Sequence, residues 1–327
     1  MFKAIVVSDS EGRHRADLVR LDNEALPPGD VLVQVDYSSL NFKDALAVTG
    51  KGKIIRHFPL VPGVDLAGRV LQPGTSAYAE GDAVVLTGWD TGVSHFGGFS
   101  QRARVPADWL VPLADGLSLK QAMALGTAGV TAMLSILELE EAGVTAERGT
   151  VVVTGASGGV GSIAIALLSA LGYQVAAVTG RSSNHEYLYR LGAQEIVERT
   201  DMEVEARPLE KQRWAGAIDT VGGPILSRIL AETAEPGAVA CCGLAASAQL
   251  TTSVMPFILR GIRLIGIESV RCPRERRLQV WHRLAATMPL PLLDALTETT
   301  RLESVGACAE KLLAGQVTGR IVIDLNR

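Results

Sequence analysis

The stretch Val151 to Ser162 reads VVVTGASGGVGS and joins an apolar segment of β type to a glycine-rich turn. An Ala- and Leu-rich helical segment follows and ends at Gly172. Ala156, Gly158 and Gly161 have the spacing of a dinucleotide-binding fingerprint with Ala in the first position. A helix that begins at such a turn directs its N-terminal amides at a phosphate. We therefore predict a phosphate-binding strand, turn and helix, with the cofactor contacting Ser157, Gly158, Gly159 and Val160.

The residues after the next strand indicate which dinucleotide is bound. A second apolar strand, Tyr173 to Val178, leads to Thr179, Gly180 and Arg181, about 20 residues past the glycines, where the ribose is read. An acid there would bind a free ribose 2′-hydroxyl, but this chain has none. Arg181, with Thr179 and Ser182, offers charge and donors for a 2′-phosphate. We therefore predict NADPH as the cofactor; the alternative is a solvated surface arginine.

Length and composition restrict the class of protein. A chain of 327 residues is long enough for two domains, and 47% hydrophobic residues with 34 glycines are typical of a turn-rich α/β protein. The net charge of -4 argues against nucleic-acid binding as the main role. The apolar runs are short, so we expect no membrane span, and the first residues lack a hydrophobic signal region. We therefore expect a cytoplasmic protein that binds neither nucleic acid nor membrane.

Cysteine spacing gives no reason to expect a metal site. The four cysteines form no CxxC pair, and no His joins them at a spacing typical of zinc sites. The strand-like run that holds two of them favours buried thiols that act as small hydrophobic side chains. We expect no metal. The cysteines are Cys241, Cys242, Cys272 and Cys308.

The order of predicted elements indicates two domains. A β-rich block from Phe2 to about Pro112 precedes a helix-prone stretch, Leu119 to Glu141. Six strands alternating with helices follow, which is the pattern of a doubly wound parallel sheet. The last predicted strand, Gly319 to Leu325, would return to the first block. We predict a β-rich catalytic domain over 1–122 and 270–327 and a Rossmann domain over 123–269.

Several long motifs, in order, resemble the medium-chain dehydrogenase/reductase superfamily in its zinc-independent, quinone-oxidoreductase-like branch. Within that branch the chain most resembles the acryloyl-CoA reductase (NADPH) subgroup, over nearly its whole length. The resemblance implies an α/β fold with a GroES-like β-rich catalytic domain beside the Rossmann domain. The motifs are SSLNFKDALAVTGKGKIIR from Ser38, VPGVDLAG from Val61, LTGWDTG from Leu86, GTAGVTAM from Gly126, TGASGGVGS from Thr154, AGAIDTVG from Ala215 and VMPFILRGIRLIGIESV from Val254.

The chain differs from the zinc-dependent members of the superfamily at positions that define the expected chemistry. Asn41 stands where those enzymes carry a metal-binding Cys, and Gly63, Val64 and Asp65 stand where they carry Gly-His-Glu. Without those ligands, alcohol oxidation by zinc polarisation has no electrophile. Hydride delivery to an activated double bond needs no metal, because an adjacent carbonyl already makes the β-carbon electrophilic.

The resemblance places the loop after Tyr37 beside the nicotinamide and so suggests catalytic residues. Asn41 would donate through its amide, and Asp44 would anchor it or relay a proton, with Lys43 as a weaker rival donor. The alternative is an Asn/Asp turn that bonds its own backbone. Thr127 is the third catalytic candidate, and ordinary helix capping is its alternative.

The resemblance also suggests further contacts. A core or surface role remains open for Arg199, Leu244, Ile267 and Arg320, and ordinary helix capping is the alternative for Thr131. The basic stretch Lys51, Lys53 and Arg56 would meet the phosphates of a CoA carrier, and a solvated face is the alternative. The further cofactor contacts are Phe42, Thr131, Arg199, Leu244, Ile267 and Arg320.

We therefore predict an NADPH-dependent, metal-free reductase of a short 2-enoyl-CoA, with acryloyl-CoA reduced to propanoyl-CoA as the best guess. One alternative is reduction of quinones or free enones at a more open pocket. Another is a non-enzymatic, NADPH-binding protein of crystallin type. We also expect a homodimer, paired through the edge strand Arg263 to Ile267.

Overall fold

The protein is described by a computed structural model that covers residues 1–10 and 12–327. The chain forms two compact units. Unit 1 comprises Met1–Val130, Ser269–Ala285 and Leu293–Arg327, and unit 2 comprises Thr131–Glu268 and Ala286–Leu292. The first boundary therefore falls eight residues after the predicted one, inside a long helix.

Strands and helices are numbered along the described part of the chain. The strands are β1 (Phe2–Ser10), β2 (Arg13–Leu21), β3 (Val31–Leu40), β4 (Asp65–Gln72), β5 (Ala83–Thr87), β6 (Arg102–Val105), β7 (Val111–Pro112), β8 (Val151–Val153), β9 (Val175–Thr179), β10 (Glu195–Glu198), β11 (Trp214–Asp219), β12 (Thr233–Cys241), β13 (Arg263–Gly266), β14 (Thr297–Arg301) and β15 (Arg320–Asp324). The α-helices are α1 (Phe42–Thr49), α2 (Leu119–Glu141), α3 (Gly159–Ala170), α4 (His185–Leu191), α5 (Arg199–Met202), α6 (Gly223–Glu232), α7 (Met255–Arg260), α8 (Arg274–Thr287), α9 (Leu290–Ala295) and α10 (Val305–Leu313).

Unit 1 is built around a seven-stranded sheet of order β14-β15-β3-β4-β5-β7, with β6 also paired to β3. The C-terminal strand β15 runs antiparallel to β3, as expected for a chain end that returns to the first block. Alternate β3 residues Val31, Val33 and Val35 are fully buried and pack in one core with Leu86 and Ile323. Full burial of such side chains contributes about 1.5–3 kcal/mol each. This core holds the loop after β3 in place.

Unit 2 is a six-stranded, all-parallel sheet of order β10-β9-β8-β11-β12-β13, the doubly wound arrangement predicted from the sequence. Strands covered on both faces are apolar throughout, and Val151, Val152 and Val153 of β8 are fully buried. The strand order reverses between β8 and β11. In open α/β sheets, ligands bind at the carboxyl ends of the strands beside such a switch point.

Helix α2 is interrupted at Gly126, whose backbone (φ 51°, ψ −153°) is not helical. Its 23 residues are long and apolar enough to cross a membrane by length and composition alone, contrary to the expectation that every apolar run is short. However, 89% of its most apolar window is buried inside the protein. Such burial is typical of a core helix.

Candidate functional site

Four polar groups link the strands on either side of the switch point in unit 2. The Thr154 hydroxyl donates to Asp219 Oδ1 at 2.7 Å, and the Thr220 amide donates to Thr154 Oγ at 2.9 Å. The Gly222 amide donates to Asp219 Oδ2 at 2.8 Å. Asp219 is fully buried, and burial raises its pKa while these hydrogen bonds oppose the rise. The ends of β8 and β11 are thereby held at a fixed separation.

The glycine-rich turn after β8 has the features of a phosphate-binding turn. A Cβ on Gly161 would stand 2.4 Å from Gly155 O and 2.8 Å from the Ala156 Cα, so only glycine lets α3 pack this closely. Gly158 is the N-cap of α3, and no side chain bonds the first amides of the helix. Gly159 and Val160 supply the first of these amides. Unfilled amides at a helix N-terminus fit a pyrophosphate.

Polar residues at the end of β9 fit a ribose 2′-phosphate. Arg181 Nη2 donates to Ser157 Oγ at 3.0 Å, and the Arg181 amide donates to Thr179 Oγ at 3.2 Å. The amide oxygen of Asn184 faces the same guanidinium and the Ser157 hydroxyl. The strand end thus presents a guanidinium held against the phosphate turn. This donor set suits a phosphate.

The Arg199 guanidinium lies at the same strand end as Arg181. A Cβ on Gly180 would stand 3.0 Å from Arg199 Nε, so the Arg199 side chain passes directly over the Gly180 backbone. Arg199 Nε also pairs with Glu203 Oε1 at 3.3 Å. Arg199 thus lies at the strand end that also carries Gly180 and Arg181, and the cofactor contacts of these residues stay predictions.

A groove at the end of β12 contains two further candidates. Its volume is about 300 Å³, and Leu244, Ile267 and Cys241 are among its lining residues. The Leu244 side chain is 67% exposed, and the Ile267 amide donates to Cys241 O at 3.0 Å. The Cys242 thiol lies next to the groove, and burial raises its pKa to about 12. Burial also raises the pKa of the Cys241 thiol, so the thiols of Cys241 and Cys242 are both poor nucleophiles.

The candidate catalytic residues of unit 1 meet around the buried carboxylate of Asp65. Oδ2 of Asp65 accepts from Ser39 Oγ at 2.5 Å, from Asn41 Nδ2 at 2.8 Å and from the Thr127 amide at 2.9 Å. Oδ1 accepts from Thr127 Oγ at 2.5 Å. Asp65 is fully buried, and a buried charge needs such saturation with donors. Asp65 is therefore the hub that orients Asn41 and Thr127.

Asn41 and Asp44 form a capping box at the start of α1, in which Asp44 Oδ2 accepts from the Asn41 amide at 2.9 Å. The same oxygen accepts from Asn41 Nδ2 at 3.2 Å, and Oδ1 accepts from the Val64 amide at 2.9 Å. Burial and then the charge of Asp65 raise the pKa of Asp44 to about 7, against these hydrogen bonds. The turn-capping alternative is thus present in the structure, and the same residues also join the buried cluster.

Arg320 closes the cluster from β15. Its Nε donates to Ala124 O at 2.7 Å, and Nη1 donates to Asn41 Oδ1 at 3.2 Å. Burial lowers its pKa, and the charges of Asp65 and Asp44 oppose that shift. A Cβ at Gly126 would stand 2.5 Å from Asp65 Oδ2, which explains the glycine at the interruption of α2. Arg320 thus balances two carboxylates, while its predicted cofactor contact stays a prediction.

The other predicted residues lie apart from this cluster or at its edge. Phe42 is 47% exposed at the start of α1, and Thr131 is buried within α2 in unit 2. Lys51, Lys53 and Arg56 are exposed, and Lys51 Nζ pairs with Glu310 at 2.5 Å. One of the three basic side chains is therefore already bonded to an acid.

Sequence reasoning missed three members of these sites: Ser39, Asp65 as the hub, and Asn184. Asp65 carried a signal, because a single acid interrupts the apolar run VPGVDLAG. Ser39 and Asn184 carried none, since short polar side chains beside turns usually bond the local backbone. Within the described residues no group of three or more His, Cys, Asp or Glu side chains is placed to hold a metal ion.

Comparison with known families assigns both units. Residues 27–115 match the alcohol dehydrogenase GroES-like domain, and residues 159–286 match the zinc-binding dehydrogenase family. The two matches follow the predicted order of a GroES-like part and then a Rossmann-type part.

Full-length relatives narrow the assignment. The chain is 50% identical to the probable acrylyl-CoA reductase AcuI of Escherichia coli, over 99% of this chain and 100% of the relative. It is 48% identical to acrylyl-CoA reductase AcuI of Ruegeria pomeroyi, over the whole of both chains. It is 41% identical to the putative quinone oxidoreductase YhfP of Bacillus subtilis, over 99% of both.

A solved structure supports the same grouping. The yhdH oxidoreductase of Salmonella enterica, crystallised in complex with NADP, superposes with a TM-score of 0.97 at 51% identity. The match covers 98% of this chain and 99% of that one. This chain and the Salmonella enterica protein therefore share one fold along nearly their whole lengths.

Proposed function

The chain belongs to the medium-chain dehydrogenase/reductase superfamily, and from this premise we propose that it is an NADPH-dependent reductase of a short 2-enoyl-CoA, with acryloyl-CoA as substrate and propanoyl-CoA as product. The observation that carries the proposal is the near-50% identity to two acrylyl-CoA reductases along the whole chain. The α/β fold, with its GroES-like and Rossmann-type parts, is the one predicted from the sequence.

The cofactor assignment rests on unit 2. Its phosphate turn, with the uncapped α3 and the close-packed Gly161, fits a pyrophosphate, and Arg181 with Ser157 fits a 2′-phosphate. When bound, NADPH supplies the hydride from C4 of its nicotinamide. The Salmonella enterica relative was solved with NADP, in agreement with this donor set.

The catalytic assignment rests on unit 1. Asn41 and Val64 stand at positions where zinc-dependent relatives carry ligands, and neither side chain is a usual zinc ligand. Reduction at the β-carbon places negative charge on the thioester oxygen, and a held donor lowers that barrier. Two of the three Asn41 Nδ2 contacts, those to Ser39 and Asp44, are 3.2 Å long. We assign to Asn41 the donation of one of its two Nδ2 protons to the thioester oxygen of the substrate.

Asp44 and Asp65 act through Asn41 and Thr127 in this proposal. Asp65 fixes the Thr127 hydroxyl and the Asn41 amide by short bonds, so both side chains are oriented before substrate arrives. Asp44 has a pKa of about 7, which suits a group that takes up or gives a proton at neutral pH. The α-carbon takes its proton from solvent or from a nearby group.

The carrier part of the substrate is assigned to the basic stretch. Lys53 and Arg56 are exposed in the segment after α1, and Lys51 lies beside them. Their charges suit the phosphates of CoA. We expect Lys53→Ala with Arg56→Ala to raise the KM for acryloyl-CoA while leaving its kcat little changed, because these contacts are remote from the reacting atoms.

A panel of acceptors tests the function. Purified protein is assayed for NADPH oxidation with acryloyl-CoA, crotonyl-CoA, a simple quinone and no acceptor, side by side. Turnover restricted to the thioesters, fastest with acryloyl-CoA, supports the proposal. Quinone turnover with inert thioesters would favour the activity named for the Bacillus subtilis relative. NADPH binding without any turnover would favour the non-enzymatic alternative.

The homodimer is a further part of the proposal. Strand β13 forms one edge of the unit 2 sheet. Large apolar side chains lie exposed on the segment before it, and monomeric proteins rarely expose such a cluster. We expect two copies to pair through this edge and segment. The exposed side chains are Leu244, Leu250, Val254, Met255, Ile258 and Leu259.

A cytoplasmic location and the absence of nucleic-acid or membrane partners stay predictions. The negative net charge supports the first of these absences. Cell fractionation followed by immunoblotting tests the location, and recovery of the protein with membranes would reject it.

A further inference from the structure

Asn184 lies at the centre of the polar cluster that follows β9. It is the last residue of a short 3₁₀ turn, Ser182–Asn184, and the residue before α4. Its side chain is buried, with 7% exposure. The Asn184 amide donates to Arg181 O at 3.0 Å, which fixes the turn between the two residues. Its position is therefore set by the backbone and does not depend on a ligand.

The side-chain amide of Asn184 is oriented by the donors that surround its oxygen. With the amide oriented so that its oxygen faces these donors, the oxygen accepts from Arg181 Nε at 3.0 Å, from Arg181 Nη2 at 3.1 Å and from Ser157 Oγ at 3.0 Å. One acceptor thus holds two nitrogens along one edge of the guanidinium and, at the same time, the hydroxyl on the phosphate turn. Arginine loses most of its side-chain freedom when it is held in this way.

The acceptor is neutral, and this decides what Arg181 can bind. A carboxylate at the same place would form an ion pair with the guanidinium and would repel a phosphate. An amide accepts the same hydrogen bonds and adds no negative charge of its own. Arg199 lies over Gly180 at the same strand end, and its Nε pairs with Glu203. The Asn184 acceptor therefore orders Arg181 without adding a negative charge.

We propose that Asn184 is the positioning residue that sets the preference for a 2′-phosphorylated cofactor, by holding Arg181 and Ser157 in the phosphate-binding arrangement. The inference rests on the proposed use of NADPH and goes beyond it, since it assigns the preference to a neutral residue that is not itself a phosphate ligand. Preorganised donors bind more tightly because less freedom is lost on binding.

Binding of NADPH and NADH to the full-length protein, measured by titration calorimetry, tests the role. Asn184→Leu keeps the branching at Cγ and has no acceptor, and we expect it to raise the NADPH Kd by about tenfold while the NADH Kd changes by less than about twofold. Asn184→Asp should raise the NADPH Kd further, by about 100-fold, because the new carboxylate pairs with Arg181. Unchanged NADH binding shows that each variant is folded.

Two controls separate positioning from a general structural effect. Ser183→Ala, on the exposed side of the same turn, should leave both Kd values unchanged. In an Arg181→Ala background, Asn184→Leu should change the NADPH Kd by less than about twofold, because the residue acts through Arg181.

The outcomes distinguish this inference from the function on which it rests. A wild-type protein with equal Kd values for NADPH and NADH would contradict the NADPH assignment itself. If the wild type prefers NADPH but the Asn184 variants keep this preference, the role of Asn184 alone would be overturned. The same holds if the variants lose affinity for both cofactors equally.

Discussion

At the residue scale, Asp44 couples the buried cluster to pH. Burial, with the Asp65 charge as second cause, raises its pKa from 3.8 to about 7. The folded protein therefore keeps this proton over a pH range in which the unfolded chain has lost it. The stability contributed by Asp44 is full below about pH 4 and is lost as the pH rises through about 7.

Asp44→Asn removes this titration. Between about pH 5 and about pH 8 we expect the free energy of unfolding of the wild type to fall by roughly 2–3 kcal/mol more than that of the variant. Urea unfolding at the two pH values measures the difference, and the other carboxyl groups cancel because both proteins share them. Parallel pH profiles would show that Asp44 titrates normally.

Arg181 carries the charge that we propose selects the cofactor. Arg181→Ala should cost about 1.5–3 kcal/mol of NADPH binding, since hydrogen bonds to a charged group are lost, with little effect on NADH. Steady-state KM values for the two cofactors measure this, and Arg190→Ala, on the exposed face of α4, is the matched control. An equal loss with both cofactors is the result that would remove Arg181 from the 2′-phosphate site.

The sequence alone predicted those candidate site residues that differ from the residues typical of a related family. Arg181 was predicted because an acid is missing from its strand end, and Asn41 because it replaces a metal ligand. Asp65 as a hub and Asn184 as a clamp were missed, because their roles depend on distances between segments far apart in the chain. No local spacing records that one amide oxygen accepts from both Arg181 and Ser157.

At the element scale, the phosphate turn depends on close packing of α3. Gly161→Ala places a methyl group 2.4 Å from Gly155 O, so the helix must shift away from the turn. We expect a loss of about 1–3 kcal/mol in the free energy of unfolding, as for overpacking, together with weaker binding of both NADPH and NADH. Unfolding and binding titrations measure the two effects.

The control for that substitution is a helical glycine with open space. Gly306 lies on the exposed side of α10, and a Cβ there would meet nothing within 4 Å. Gly306→Ala should stabilise the protein by about 0.5–1 kcal/mol through helix propensity, with cofactor binding unchanged. Similar behaviour of the two variants would mean that packing at Gly161 is unimportant.

Elements with a strong periodic or apolar pattern were predicted well, and interruptions were not. The strands of the parallel sheet follow from short apolar runs bounded by glycines, because both faces of such a sheet are covered. The stretch Leu119 to Glu141 was predicted as one helix-prone run, and only the capping alternative for Thr127 indicated a helix start near Gly126. The positive φ of Gly126 and the closeness of Asp65 Oδ2 to the missing Cβ together explain that glycine.

At the scale of the whole molecule, the order of elements predicted the architecture, and the family comparisons confirm it. Strands alternating with helices can form a doubly wound sheet of this order with right-handed crossovers. The pairing of β15 with β3 joins residues nearly 300 positions apart. Its register could not be read from either strand alone.

The proposed homodimer is tested at this scale. Ile258 is 72% exposed on α7, and Ile258→Glu places a charge in the apolar cluster before β13. We expect light scattering at micromolar concentration to give a dimer for the wild type and a monomer for the variant, because burying an unpaired charge is costly. A monomeric wild type would reject the dimer, and a dimeric variant would move the interface elsewhere.

The central claim is that hydride passes from NADPH to the β-carbon of an enoyl-CoA. The most direct test is turnover of acryloyl-CoA with NADPH that carries two deuterium atoms at C4, so that either face transfers label, with mass spectrometry and NMR of the product. We predict one deuterium at the β-carbon of propanoyl-CoA, and, in deuterated water with ordinary NADPH, one deuterium at the α-carbon. Propanoyl-CoA without label from the cofactor, or oxidation of NADPH only when a quinone is present, would contradict the account.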